Sequence, residues 1–527
     1  MASDPRQTED MFKTISASDG TPAAEAQLRI EQAISQRTVT TVNSLPFEIL
    51  ATIFAECLPP YPLTQIQPNV TIAPMLLCHV CSVWRTVAFA CSTLWSHLNV
   101  GLPILWSPEG DPVVWNSKEM SDDIDFLRWW KKNQGSRPPF LRLYSRRRGL
   151  KMGSQSYQRL SLDEDIANFL LDYMSSAQYL DADIFYRYLI VRSNHRKNPN
   201  DLCPNLHTLK TEYSLNVYLQ YAMVEDEEPR SDGMAQRFSS LVPVPLPVPP
   251  TLRRLHLYIN DTGFSCMGRL DRWSALTHLS LSSECNISEW HSISRALLAL
   301  EWGHFIIVFS EEITGHYIEP PIHRLSALSH LFLHFGSAYG EVLNFPLRAL
   351  FHNLHMPVLR DLRLSSETSW WSTTASPEIL TVLKCTPSLT KLAFEAEDSS
   401  FSSDPSTIGT EFAPISRYVP FLAHIQFQIF FPLNDSASIL AEQFVKEIFC
   451  PREWLHLENS FNTIRKVTII IENSRPQTST ETFEALLVHA IAKRVKEATH
   501  ISFEVNTRLY PATMCLLDET LKEWTVA

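Results

Sequence analysis

Leu252–Leu257 reads LRRLHL, and Leu276–Leu281 reads LTHLSL. The same frame, apolar at places one, four and six, returns as Leu328-SH-Leu331-F-Leu333 and Leu359-RD-Leu362-R-Leu364. It returns again as Leu389-TK-Leu392-A-Phe394, Leu422-AH-Ile425-Q-Phe427 and Ile464-RK-Val467-T-Ile469, with a weaker copy at Leu206 (LHTLK). Alternation at places four and six is the period of a short strand with one buried face, and place one closes the turn before it. One such unit cannot bury its apolar face alone, whereas stacked units share a continuous core. Successive first residues from Leu252 lie 24, 52, 31, 30, 33 and 42 apart, and His304–Phe309 (HFIIVF) is a candidate unit inside the longest interval. Spacing this uneven predicts irregular units with variable loops, not a short-period repeat.

Working outward, the segments between the strands carry helix signals. Ser376-Pro377-Glu378 supplies an N-cap, an N1 proline and an early acid ahead of Ile379, Leu380, Val382 and Leu383. Further helices are expected at Ile293–Leu300, Ile439–Phe449 and Thr482–Val495. Upstream, the pattern predicts a helix over Asp123–Lys132, a strand at Phe140–Tyr144, and a helix over Ser161–Met174 capped by Ser161 and Glu164. A further strand is expected at Tyr179–Phe185. Leu241–Pro250 (LVPVPLPVPP) alternates proline with aliphatics and reads as a stiff extended connector. The basic run Arg146–Arg148 and the acidic run Glu225–Glu228 read as solvated surface segments. The fold class is therefore α/β, an irregular leucine-rich-repeat solenoid behind a helical module. The rival is an ordinary α/β domain with leucine-rich strands.

That module is Ser44–Val100. Pro46 and Glu48 suit a first helical turn; Ile49, Leu50, Ile53, Phe54 and Cys57 follow at helical spacing, and Pro59-Pro60 stops the element. Pro74 opens a second helix expected to put Leu76, Leu77, Val80, Val83, Trp84 and Val87 on its apolar side, and a third short segment ends in Leu94-Trp95. Leu45-Pro46-x-Glu48-Ile49-Leu50-x-x-Ile53-Phe54, then Cys81-x-x-Trp84-Arg85 and Leu94-Trp95, resembles an F-box. It is most similar to the F-box-like segments of mushroom-type fungal proteins, as is the tryptophan-bearing helix followed by a Ser-x-Pro turn and a strand. The resemblance implies a face that docks on Skp1, the adaptor of cullin-based ubiquitin ligases, formed by Leu45, Pro46, Ile49, Leu50, Ile53, Trp84 and Arg85. The loop Tyr61–Thr71 is longer than in the tightest F-boxes. The alternative is a helical cap for the body, with no adaptor. The expected division is 1–40 disordered, 41–100 F-box-like, 101–200 connecting helix and strand, and 201–527 repeats.

Composition narrows the function classes. Of 527 residues, 45 % are hydrophobic and 19 % charged, enough for a sizeable core. A net charge of −12 argues against a nucleic-acid partner, which wants a basic footprint. No apolar run is long enough to cross a membrane, and the N-terminus has no secretory pattern. Ten cysteines without a repeating spacing fit free thiols in a reducing, intracellular setting, cytoplasm or nucleus. Cys78-x-x-Cys81, with His79 and His97 nearby, lacks the second well-spaced pair of a structural zinc site. No G-x-G-x-x-G, G-x-x-x-x-G-K-S/T or H-E-x-x-H occurs, so no metal, no cofactor and no catalysis by this chain are expected. The resulting expectation is a substrate-recognition adaptor: Skp1 and its cullin scaffold at one end, an unidentified protein target on the repeats. The alternative is a non-catalytic repeat scaffold whose head does not bind Skp1.

Overall fold

The computed structural model describes residues 42, 45–58, 70–106, 112–114, 117–145, 160–161, 163–182, 203–214, 248–260, 270–309, 323–337, 350–351, 353–366, 382–396, 419–431, 465–473 and 502–509. Three short helices come first: α1 (Phe47–Glu56), α2 (Met75–Val80) and α3 (Ser82–Ala90), with a 3-10 turn at Ser92–Trp95. Strand β1 (His97–Leu102) follows, then β2 (Ile104–Trp106), β3 (Pro112–Val114), α4 (Ser117–Gln134), β4 (Phe140–Ser145) and β5 (Leu160–Ser161). Next are α5 (Glu164–Ser175), β6 (Tyr179–Ala182), β7 (Thr208–Ser214), β8 (Arg254–Asn260), β9 (His278–Cys285), α6 (Ile287–Ala296) and β10 (Trp302–Phe309). The remainder are β11 (His323–Arg324), β12 (His330–Ser337), β13 (Leu354–His355), β14 (Asp361–Ser366), β15 (Lys391–Ala396), β16 (His424–Phe431), β17 (Lys466–Asn473) and β18 (Ser502–Leu509).

One sheet gathers thirteen of these strands in chain order: β1, β4, β6 to β10, β12 and β14 to β18. Each strand pairs parallel with the next, so every connection carries the chain back to the same end of the sheet. Aligned registers explain the leucine frame. Place four forms one buried row through Leu255, Leu279, Leu331, Leu362, Leu392 and Ile425. Place six forms another through Leu257, Leu281, Phe305, Leu333, Leu364 and Phe394. Burying each such side chain stabilises by about 1.5–3 kcal/mol, so the rows dominate the fold's energetics. Gly303 is the exception in the first row, because a Cβ there would stand 2.6 Å from the Phe305 ring. Trp290 of α6 meets that ring edge-on at 4.9 Å and donates its indole N–H to the Leu350 carbonyl.

Place two supplies a backbone ladder. The amide of Thr277 donates to the Arg253 carbonyl, Glu301 to Thr277, Ser329 to Glu301 and Arg360 to Ser329, each at 2.8 Å. Thr390, Ala423 and Arg465 continue it at 2.8–2.9 Å, and the amide of Ser502, at place three of the last strand, donates to the Arg465 carbonyl at 2.8 Å. Place one closes a turn: Leu276 N–H donates to the Trp273 carbonyl at 2.9 Å, and Leu206, Leu300, Leu359, Leu389 and Leu422 likewise bond the residue three positions upstream. Those upstream residues, including Cys203, Leu297, Met356 and Val419, are buried. The unit therefore begins three residues before the leucine frame read from the sequence.

Several expectations shift. The helix expected from Pro74 to Val87 is broken at Cys81, whose extended backbone ends α2 and whose thiol caps α3 by accepting from the Trp84 amide. The expected Ser161/Glu164 capping box is absent: Ser161 lies in β5, and Asp163 caps α5 by accepting from the Asp165 amide. The helix expected at Ile293–Leu300 instead spans Ile287–Ala296, behind an Asn286/Glu289 capping box, and Leu300 takes place one of β10. The helix expected over Asp123–Lys132 is longer at both ends, Ser117–Gln134. The boundary at residue 200 has no counterpart in the sheet, since β1, β4 and β6 belong to the same sheet as β7 onward. The helices expected over 439–449 and 482–495, and the charged runs at 146–148 and 225–228, lie outside the described residues.

Candidate docking face on the N-terminal helices

The head is held together by an inner stripe. On α1, Leu50 (1 % exposed) and Phe54 (0 %) recur one turn apart and point inward, where Phe54 meets Trp84 of α3 at 4.9 Å. Leu77 and Cys78 of α2 and Val87 and Ala88 of α3 complete the interior. Arg85 Nε donates to the Cys78 carbonyl at 2.8 Å, tying the end of α2 to α3 across the break at Cys81. Pro46 caps α1, and its carbonyl accepts from both the Ile49 and Leu50 amides at 3.1 Å.

Aromatic packing then fixes the head to the body. The Trp95 indole N–H donates to the Ala88 carbonyl at 2.9 Å, and the Trp130 indole N–H of α4 donates to the Trp95 carbonyl at 2.6 Å. Phe89 stacks on Trp95 at 5.5 Å, while Trp129 and Trp130 meet Trp95 edge-on at 5.2 and 4.9 Å. The hydrophobic core runs without a break from Leu50 to Ile469 among the described residues.

The outer side of the same helices is apolar too. Ile49 (48 % exposed) and Ile53 (38 %) stand one turn apart on α1, and Phe47 of the same helix is exposed as well. Leu76 and Val80 of α2 and Val83 of α3 are exposed at 42–52 %. A helix that needs only one apolar stripe to fold carries two here, and the second contributes nothing to the chain's own core.

The seven expected docking residues thus divide. Pro46, Ile49 and Ile53 are exposed, and Leu45 is half-buried against the core. Leu50 is buried and cannot touch a partner, a correction to its expected role. Trp84 is half-buried on Phe54, and Arg85, though exposed, is engaged with Cys78, so both hold helices together. Phe47, Leu76, Val80 and Val83 are the outward residues the sequence reading did not select for this face. Their signal was the surplus of apolar residues over one stripe.

Burial raises the Cys78 thiol pKa against the lowering effect of Arg85, and Cys81 is occupied as a helix cap. Among the described residues, no group of three or more His, Cys, Asp or Glu side chains is placed to hold a metal ion. No described helix is long and apolar enough to cross a membrane. No family model matches the chain, and no curated protein matches it.

Proposed function

We propose that this chain is the substrate-receptor subunit of an SCF-type ubiquitin ligase. The outer face of α1 to α3 docks a Skp1-like adaptor, and through it a cullin scaffold. The body, a solenoid of divergent leucine-rich repeats, holds a protein target. The observation that carries this reading is the exposed Ile49/Ile53 row on a helix whose adjoining row, about 100° round, is already buried through Leu50 and Phe54. The head's resemblance to an F-box supports the choice of partner. Ubiquitin transfer belongs to other subunits and the E2 enzyme; this chain contributes proximity, raising the local concentration of a target lysine.

A second reading, a repeat scaffold whose helices merely close the first strand, draws on the Trp95–Trp130 packing. Pull-down of purified Skp1 with the full chain separates the two. Saturable binding lost in Ile49→Glu/Ile53→Glu, with the circular dichroism spectrum unchanged, is the expected result. Absence of Skp1 binding by folded wild-type chain overturns the adaptor reading and leaves the scaffold.

A further inference from the structure

Places three and five of each strand line the sheet face opposite the leucine rows. Across the thirteen strands these two rows hold Arg142, Lys210, Arg254, Arg363, Lys391 and Lys466 against Asp181, Asp361 and Glu504. The excess is positive in a chain whose net charge is −12. The cations cluster around two carboxylates. Asp181 meets Arg142 at 3.2 Å and Lys210 at 3.8 Å; Asp361 meets Arg363 at 3.3 Å and Lys391 at 3.4 Å. All four cationic side chains remain 22–32 % exposed, so they reach solvent while held in place.

Between the clusters the rows carry one charge, Arg254 on β8. Trp302, His304 and Phe332 lie there, with His304 stacked on Phe332 at 4.7 Å and hydrogen-bonded to Ser280 at 2.9 Å. Burial, with a further push from His334, holds His304 down to about 3, so it is neutral at pH 7.

We propose that this face binds an extended, acidic segment of a protein partner, with carboxylates at both ends and an apolar residue between them. This rests on the reading of the body as a target-binding surface and adds the chemistry of the target. Lys210 on β7 and Lys391 on β15 are six strand spacings apart, about 29 Å at roughly 4.8 Å per spacing. An extended chain covers that span in about eight residues, placing its middle over Trp302 and Phe332. Aromatic and arginine side chains in a rigid, preorganised surface are the groups that carry binding energy at interfaces. Nucleic acid fits less well, since Asp181, Asp361 and Glu504 stand among the cations in a chain of net charge −12.

The test is selection of a randomised peptide library on the folded full chain. Enrichment of Asp or Glu pairs about eight residues apart, flanking an apolar residue, is expected. A peptide made to the selected consensus should lose about tenfold in affinity to Lys210→Gln or Lys391→Gln, which keep most of the side-chain stem, and should weaken as salt is raised. Enrichment of basic or purely apolar peptides, no enrichment, or binding to both variants as tight as to the wild type overturns the proposal. Skp1 capture by the same preparation reports on the head separately, so failure here leaves the adaptor reading standing, and the reverse holds.

Discussion

His304 shows how a single residue sets a pH limit on this fold. Its ring is buried between Ser280 and Phe332, with Trp302 at 6.4 Å and His334 on the neighbouring strand. Burial, chiefly, lowers its pKa from 6.5 to about 3. Above pH 6.5 neither state is protonated and the ring carries no penalty. Below it, the unfolded chain takes up a proton that the folded one refuses, so stability falls as pH drops toward 3. The slope approaches about 1.4 kcal/mol per pH unit for this one group. His278, lowered to about 4, and His256, held well below 6.5 by burial, act with the same sign. Urea midpoints measured from pH 7.5 to 5 should fall steadily, and His304→Gln should flatten the fall by about one proton's worth. The leucine frame puts His256 and His278, with His330 and His424, at its intervening places, which mostly face solvent or the turn. The structure corrects this for His256, 7 % exposed, because close-set parallel rows bury a side chain even on the face away from the leucines. Its Nδ1 is buried and without a hydrogen-bond partner.

At the scale of the element, α1 carries a buried row and an exposed apolar row side by side within ten residues. Leu50→Ala removes a fully buried side chain and should cost about 2–5 kcal/mol, read as an earlier thermal transition of the head. Ile53→Ala, on the outer side, should leave that transition nearly unmoved while weakening adaptor capture. Reversal of those two outcomes would place the docking face on the wrong side of the helix. Helical periodicity announced that α1 is amphipathic, yet Ile49, Leu50, Ile53 and Phe54 are all apolar, so hydrophobicity alone did not rank their burial. The break at Cys81 was hidden for a similar reason: no proline or glycine marks it, and the thiol that caps α3 resembles a core residue in sequence. The strands were more legible, because one leucine frame serves several of them. Where a large ring replaces leucine, as Phe305 does beside Gly303, the frame fails in sequence while its geometry persists.

Across the whole molecule, the continuous core makes head and sheet one mechanical unit. From Leu50 the buried contacts pass through Trp95 and Trp130 to the leucine rows, and the place-two ladder links strand to strand as far as Ser502. A target held on the sheet would therefore keep a fixed orientation to whatever the head docks, with no flexible linker between β1 and the 3-10 turn that ends in Trp95. The coupling runs through few side chains, and Trp130 is the one that both fills the junction and hydrogen-bonds the Trp95 backbone. In the wild-type chain, thermal melts followed by helical circular dichroism and by the fluorescence of a label on the sheet face should coincide. Trp130→Ala should separate them, the head melting first, because it leaves a cavity at the junction and an unpaired buried carbonyl at residue 95. Trp130→Phe, which keeps an aromatic ring but loses the indole N–H, should fall between the two. If Trp130→Ala still melts in one step, the head is coupled to the sheet by contacts other than this tryptophan. Two separate transitions in the wild type would mean that the head and sheet fold as independent units, and that their relative orientation is not fixed by this junction.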